Sequence, residues 1–388
     1  MYDQQVAGTL GNLIAPPYDV ISEDQRRGYL AASPYNAVRL ELPELPYDEV
    51  RALIEAWITD GILRLTDEPV LVAWTQTFLL GGRTVERKSL LASVGVEPYE
   101  ARVVRPHERT HAGPKEDRLR LIRATRMNIS PVYGLYPDPE GSVWAAAKPI
   151  GPPLGEMTDA DGTLHRIWVV RDPDITTAVA DAMAGRWILI ADGHHRYETA
   201  VNYLREQGAG GPQDYVMMGL TALDDPGLLV LPTHRVLVEW PDDADSGFER
   251  LSVSSLAALE AALDHASDDE SAFGLVTPDG FTLLTKAVGA GSSPSARLDT
   301  SVLERDILER AFRRDQATLS HDGLLTYVKD STEAARLVTD GRAAAALLMR
   351  PTSKRQVAEV ADAGETMPQK STYFFPKLLT GVAFNPLD

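Results

Sequence analysis

Trp187-Ile-Leu-Ile-Ala-Asp-Gly-His-His-Arg-Tyr-Glu-Thr-Ala200 is the stretch around which the chain is organised. It opens as a short apolar run with two isoleucines, the pattern of a buried strand. Asp192-Gly193 breaks that run. From His194 to about Arg205 the period turns helical, with Ala200, Val201 and Leu204 on one apolar face. The spacing predicts strand, tight glycine turn, helix. The first N–H groups of such a helix have no partner within it and lie at the positive end of its dipole. A phosphate fits there; Gly193 lets the backbone approach closely, and His194, His195 and Arg196 add donors. The plainer alternative is an ordinary strand-to-helix turn whose histidines bond neighbouring backbone.

The chain has 388 residues, enough for a large core and two or three domains. Its hydrophobic and charged fractions, 44% and 24%, are those of a soluble globular protein. No apolar run approaches the roughly 18 residues of a membrane span, and Met1-Tyr-Asp-Gln-Gln lacks the basic and apolar regions of a secretory signal. Cysteine is absent, which excludes disulfides, thiolate metal sites and a cysteine nucleophile, and fits a cytoplasmic protein. A net charge of −18 argues against broad nucleic-acid contact, which needs a basic surface. A local basic pocket for a small phosphorylated ligand stays open.

Along the chain, Ser22 is placed to cap a helix from Glu23 to Leu30, and Ala37-Val-Arg-Leu-Glu-Leu42 alternates like a half-buried strand. Val50, Leu53, Ile54, Trp57 and Ile58 share a helical face that ends at Gly61. Residues 70–80 and 83–97 read as a hairpin around Gly81-Gly82. Pro114 starts a helix, and 131–136 is a short strand. Residues 137–163, rich in Pro and Gly, read as loops. A strand at 165–171, a helix at 174–184 and strands at 215–223 and 228–235 follow. Pro241-Asp-Asp-Ala-Asp-Ser-Gly247 looks like a boundary. Beyond it come a helix near Leu256–Leu263, a hairpin around Asp279-Gly280, a helix through Val302–Phe312 and a strand at 325–328. Residues 343–349 suit either helix or buried strand. Alternating strands and helices argue for a mixed α/β or α+β fold, in three regions at 1–84, 85–240 and 241–388.

Three further constellations carry chemistry. Val104-Arg-Pro-His-Glu-Arg-Thr-His111 contains His-Glu-x-x-His, zinc-protease spacing. That motif needs a continuous helix, and Pro106 and Gly113-Pro114 leave about two turns. A solvated loop, or a site in which Glu108 is a catalytic carboxylate, are the competing readings. Lys115, Arg118, Arg120, Arg123 and Arg126 form either a solvated helix face or a set from which one or two arginines turn inward on an anion. In Lys370-Ser-Thr-Tyr-Phe-Phe-Pro-Lys377, lysines flank hydroxyls and aromatics that either close a pocket or simply pack.

Pro16-Pro-Tyr-Asp-Val-Ile-Ser22, Glu108-Arg-Thr110 with Gly113-Pro-Lys-Glu-Asp-Arg118, Ala191-Asp-Gly-His-His-Arg-Tyr197, Leu231-Pro-Thr-His-Arg235 and Met367-Pro-Gln-Lys-Ser-Thr-Tyr373 resemble the ordered blocks of a bacterial and archaeal family, domain of unknown function 1015. That name conveys no reaction. Pro106-His-Glu108 followed by Asp192-Gly-His-His-Arg196 is similar, more distantly, to the ParB/sulfiredoxin-like superfamily and its free L-serine kinases. This resemblance implies a ParB/sulfiredoxin-like core within 85–240, with N- and C-terminal additions and an insertion near 137–185. The insertion accounts for the 84 positions between Glu108 and Asp192. It also implies a nucleotide site with phosphates against Gly193–Arg196 and Glu108 as base. Sulfiredoxin chemistry is excluded without cysteine, and the acidity disfavours the DNA-binding branch.

The expectation is a phosphotransferase moving a phosphoryl group from ATP or ADP, with Mg2+, to the hydroxyl of a small metabolite, serine among the candidates. Glu108 takes the hydroxyl proton, Asp192 orients Mg2+ or the acceptor, and His107 assists. Gly193, His194, His195, Arg196, Arg109, Thr110 and Lys115 hold phosphates. Tyr18, Asp19, His234, Arg235, Lys370 and Ser371 are the candidates on the substrate side. No nucleic acid or membrane partner is expected, and a homodimer is allowed. The alternatives are a non-catalytic nucleotide- or phosphometabolite-binding regulator, and a zinc hydrolase through His107 and His111.

Overall fold

The computed structural model describes residues 1–108, 112–267, 269–289 and 291–388, the side chains of 112–114 excepted. The fold is mixed α/β, as expected. Two compact units emerge: one of Met1–Pro106, Thr110–Leu229 and Pro376–Asp388, the other of His107–Arg109 and Val230–Phe375.

The first unit is built on an eight-stranded sheet. Its strands lie in the order Val104–Arg105, Ile188–Asp192, Val132–Tyr136, Tyr215–Ala222, Arg83–Gly95, Leu71–Leu80, Leu164–Val170 and Gly155–Thr158. Two neighbouring pairs are parallel, the first with the second and the third with the fourth; the others are antiparallel. The long hairpin turns at Gly81 and Gly82, both at positive φ (56° and 77°), as a two-residue hairpin turn matching strand twist requires. Ile188, Ile190, Val132, Met218 and Leu220 form the core together with Tyr197 and Ala200 of the helix His194–Gln207. A second core joins Val50, Ile54 and Trp57 of the helix Tyr47–Thr59 to Leu13, Leu40, Leu121 and Met127.

The second unit holds a six-stranded antiparallel sheet in the order Glu249–Val253, Gly280–Ala287, Glu270–Thr277, Ala345–Met349, His234–Leu237 and Leu325–Val328. Helices cover both faces. Leu347 and Leu275 pack with Val302, Ile307 and Leu308; Ala346, Leu348 and Val276 pack with Leu259, Ala334 and Val338. The ambiguous stretch 343–349 is therefore a strand buried on both sides, which erases any period of two.

Three expectations are corrected. Ala37–Leu42 contains the helix Val38–Glu41 rather than a strand. The Asn36 side chain accepts the Val38 N–H at 2.9 Å and donates to the carbonyls of Asn12 and Ile14; a buried Asx turn overrides the local alternation. Residues 137–163 include the helix Ser142–Ala147 and the strand Gly155–Thr158. The Asp138 carboxylate starts that helix by accepting the N–H groups of Ser142 and Val143. Residues 228–235 are two strands, Leu229–Leu231 and one beginning at His234, separated by Pro232, which cannot donate to a ladder.

Candidate functional site

In the first unit, the strand Ile188–Asp192 runs into the helix His194–Gln207 through Gly193 alone. Gly193 is the N-cap, in the left-handed conformation (φ 86°, ψ 30°), and makes no side-chain cap. Glycine has no side chain with which to cap the first-turn N–H groups of this fourteen-residue helix. The helix start is pinned from behind. The Tyr197 hydroxyl donates to the Glu97 carbonyl at 2.7 Å, accepts the Glu97 N–H at 3.0 Å, and its ring stacks on Tyr99.

The Arg196 guanidinium lies over Gly193: a Cβ there would fall 2.8 Å from its Nε and 2.9 Å from its Cζ. One arm donates to the Pro131 carbonyl, and the other is 3.7 Å from Asp192 Oδ2. Its Nε–H is buried without a hydrogen-bond partner among the described residues, a cost of about 1–3 kcal/mol. Asp192 accepts the Gly193 N–H at 2.9 Å and the Lys377 ammonium at 3.0 Å. Burial pushes the Asp192 carboxyl up, but Lys377 and Arg196 outweigh it and hold the group well below the usual carboxylate range. His194 is buried and His195 half-buried in the first turn.

Lys377 was outside the expected site set, and the structure shows what places it. Arg87 is fully buried. It donates to the Tyr133 hydroxyl at 2.9 Å, to Gln76 and to the Pro376 carbonyl, while Gln76 Nε2 donates to the Lys377 carbonyl at 2.9 Å. These bonds fix the backbone at 376–377 so that the ammonium meets Asp192. The signal was present in the sequence: Arg87 and Ser89 are polar residues at inward positions of an alternating strand, and both are buried.

Beside this turn sits a second polar cluster. Glu41 is buried and accepts from Ser130 at 3.0 Å; the Arg118 guanidinium donates to the Glu41 carbonyl at 2.8 Å. Tyr18 lies under that guanidinium, 4.6 Å from ring centre to carbon. Burial raises the Glu41 carboxyl above its ordinary range against the pull of Arg118 and Arg196. Glu41, Arg118, Ser130, Arg196 and Thr199 line a cavity of about 50 Å³, with polar partners and room for water. Thus Arg118, one of five basic candidates, is buried against the protein's own carboxylates, 2.6 Å from Asp117 and 3.6 Å from Glu41. Lys115 pairs with Glu198 at 2.6 Å, and Asp19 is exposed.

The remaining expected residues belong to the second unit. His107 is buried, with Nε2 3.0 Å from the Thr372 hydroxyl and its ring edge-on to Phe374. Glu108 forms a parallel bridge with Met367. Arg235, proposed for substrate, is fully buried and serves the protein instead: it donates to Gln316 Oε1 and to the carbonyls of Thr233, Gln369 and Lys370. Burial lowers its pKa to about 10, still charged at neutral pH. Ser371 is likewise buried, 2.8 Å from the Thr300 hydroxyl, whereas Lys370 is exposed in a left-handed turn (φ 58°). Arg109, Thr110 and His111 lie outside the described residues.

His234 is also internal, its Nδ1 accepting the Met349 N–H at 3.1 Å. Burial, then Arg235, push its pKa down to about 4. The unfolded chain binds the proton near pH 6.5, so this contribution is complete above that pH and is lost as pH falls toward 4. Over the whole window it amounts to about 3 kcal/mol. His234→Gln, which keeps an acceptor, is expected to flatten the fall in melting temperature between pH 6.5 and 4. An unaltered slope would refute the assignment.

Among the described residues, no three His, Asp or Glu side chains gather as metal ligands. Asp192, proposed for Mg2+, is engaged by two cations and an N–H, a setting that repels a divalent ion. No described helix is long and apolar enough to cross a membrane.

A family model described as "Protein of unknown function (DUF1015)" matches residues 2–301. No curated protein matches the chain. Among solved structures, the chain is similar to a free serine kinase in complex with AMP, at 15% identity over 73% of this chain and 86% of that one, TM-score 0.41. It is similar to a conserved hypothetical protein from Pyrococcus furiosus, at 16% identity over 74% and 92%, TM-score 0.39. It is also similar to C-terminally truncated SbnI from Staphylococcus aureus, at 11% identity over 75% and 85%, TM-score 0.38. Likeness at this level speaks for neither ligand nor reaction.

Proposed function

The chain belongs to the DUF1015 family, and from that premise we propose that it is a nucleotide-dependent phosphotransferase acting on the hydroxyl of a small metabolite, with free serine the first candidate. The observation that carries the reading is the Gly193 turn. A helix start with glycine at its N-cap carries a guanidinium over that glycine, with a buried Nε–H that has no hydrogen-bond partner among the described residues, and an ammonium on the adjoining Asp192. Such a site suits a di- or triphosphate. The phosphotransfer half of the reading comes from pairing Pro106-His-Glu108 with Asp192-Gly-His-His-Arg196, as in a ParB/sulfiredoxin-like core.

The reading requires Glu108 to face phosphates bound at the turn. Glu108 takes the proton from the acceptor hydroxyl as its oxygen bonds to the terminal phosphorus. The bond from that phosphorus to the bridging oxygen breaks, and the nucleotide leaves with one phosphate fewer. Arg196, Lys377 and the helix N–H groups neutralise the charge on the phosphates, which is most of what phosphoryl transfer asks of a protein. Asp192 keeps Lys377 and Arg196 in place until the phosphates arrive. The test is full-length protein with ATP or ADP, Mg2+ and a panel of hydroxylated amino acids, read by product formation. Phosphorylation of one acceptor supports the reading. A nucleotide that raises the melting temperature with no turnover makes the protein a binding regulator instead.

A further inference from the structure

His107 and Glu108 leave the chain segment around them and join the second unit. Their backbone is clamped there: the His107 carbonyl accepts the Met367 N–H at 2.7 Å, and Glu108 bridges Met367. The His107 ring meets the Thr372 hydroxyl at 3.0 Å and the edge of Phe374. His107, Met367 and Phe374 are each at most 1% exposed, so the clamp is dry.

The clamp is itself held. Gln316 Nε2 donates to the Gln369 carbonyl at 2.7 Å, Arg235 donates to the Lys370 carbonyl at 3.1 Å, and Thr352 donates to the Ser371 carbonyl at 2.8 Å. Arg235 and Gln316 bond each other through Gln316 Oε1. Burying a guanidinium and a glutamine is costly unless they are hydrogen-bonded; here successive carbonyls of one loop supply the acceptors, so the network holds that loop in one arrangement. We propose that the second unit is the platform that aims Glu108, with Thr372, Arg235 and Gln316 as positioning residues acting through His107 and the segment 367–374. The proposal rests on Glu108 being the base. It gives Thr372, Arg235 and Gln316 a part in the chemistry without contact with the reacting atoms.

Thr372→Val is nearly isosteric and removes a hydroxyl that bonds the His107 ring; Thr372→Ser restores it. In the full chain, Thr372→Val is expected to lower kcat about tenfold to a hundredfold, the effect of a misaimed catalytic group, with nucleotide KM within twofold of wild type. Thr372→Ser recovers most of the loss, and Arg235→Gln reproduces it. Hydrogen exchange read on peptides spanning 104–108 and 367–374 quickens severalfold in Thr372→Val and returns in Thr372→Ser. Unchanged exchange in both Thr372→Val and Arg235→Gln overturns the platform whether or not transfer is seen. Quickened exchange with kcat intact overturns the link to catalysis. Absence of transfer by wild-type protein removes the assignment of Glu108 as base, while the exchange data still decide the platform.

Discussion

Glu108→Gln is expected to lower phosphoryl transfer about 10²–10⁴-fold, the range for loss of a general base, while ADP binds with unchanged affinity. Glutamine matches glutamate in size but does not take a proton. The segment that carries Glu108 is fixed by backbone pairing with Met367 and by the ring of its neighbour His107, so the substitution leaves that segment in place. The proposed phosphate ligands Arg196 and Lys377 belong to the other unit. Steady-state rates and an ADP titration on the same preparation check both halves. A loss below threefold would remove Glu108 from the chemistry.

Gly193→Ala is expected to weaken ADP binding at least tenfold and to lower the melting temperature by several degrees. A side chain at φ 86° costs about 1–2 kcal/mol. The new methyl would also lie 2.8 Å from Arg196 Nε, so the guanidinium has to move, loosening its hold on the Pro131 carbonyl and on Asp192. For a unit of this size, each kcal/mol corresponds to roughly 2–4 °C. Calorimetry with ADP separates the two effects: a protein that melts earlier yet binds ADP as tightly as wild type would show that the turn is not the phosphate site.

The central turn was legible because its signals are local. An isoleucine-rich run, a glycine at positive φ and a helical period follow one another within 187–200, and the strand and helix stand where that pattern puts them. The glycine-paired hairpin, the Ser22 N-cap and the helix Tyr47–Thr59 were legible for the same reason. What escaped was decided at long range. Asn36 reaches back to Asn12 and Ile14 and turns an alternating segment into a helix. Arg235 looks like a ligand in Leu-Pro-Thr-His-Arg235, yet apart from the Thr233 carbonyl its acceptors lie 81 to 135 positions away. Lys377 finds Asp192 across 185 positions because Arg87, itself 289 positions from Pro376, holds the backbone there. Strand and helix periods carry no information about such partners. Of the site, the strand–glycine–helix turn could therefore be read from composition and spacing, and its cationic surroundings only in part.

The decisive measurement is a crystal structure of the full chain grown with ADP and Mg2+. The account predicts the diphosphate against the N–H groups of His194 to Arg196, with Arg196 and Lys377 on its oxygens and the Glu108 carboxylate facing the terminal phosphate. Nucleotide bound elsewhere, or a terminal phosphate out of reach of Glu108, would contradict it.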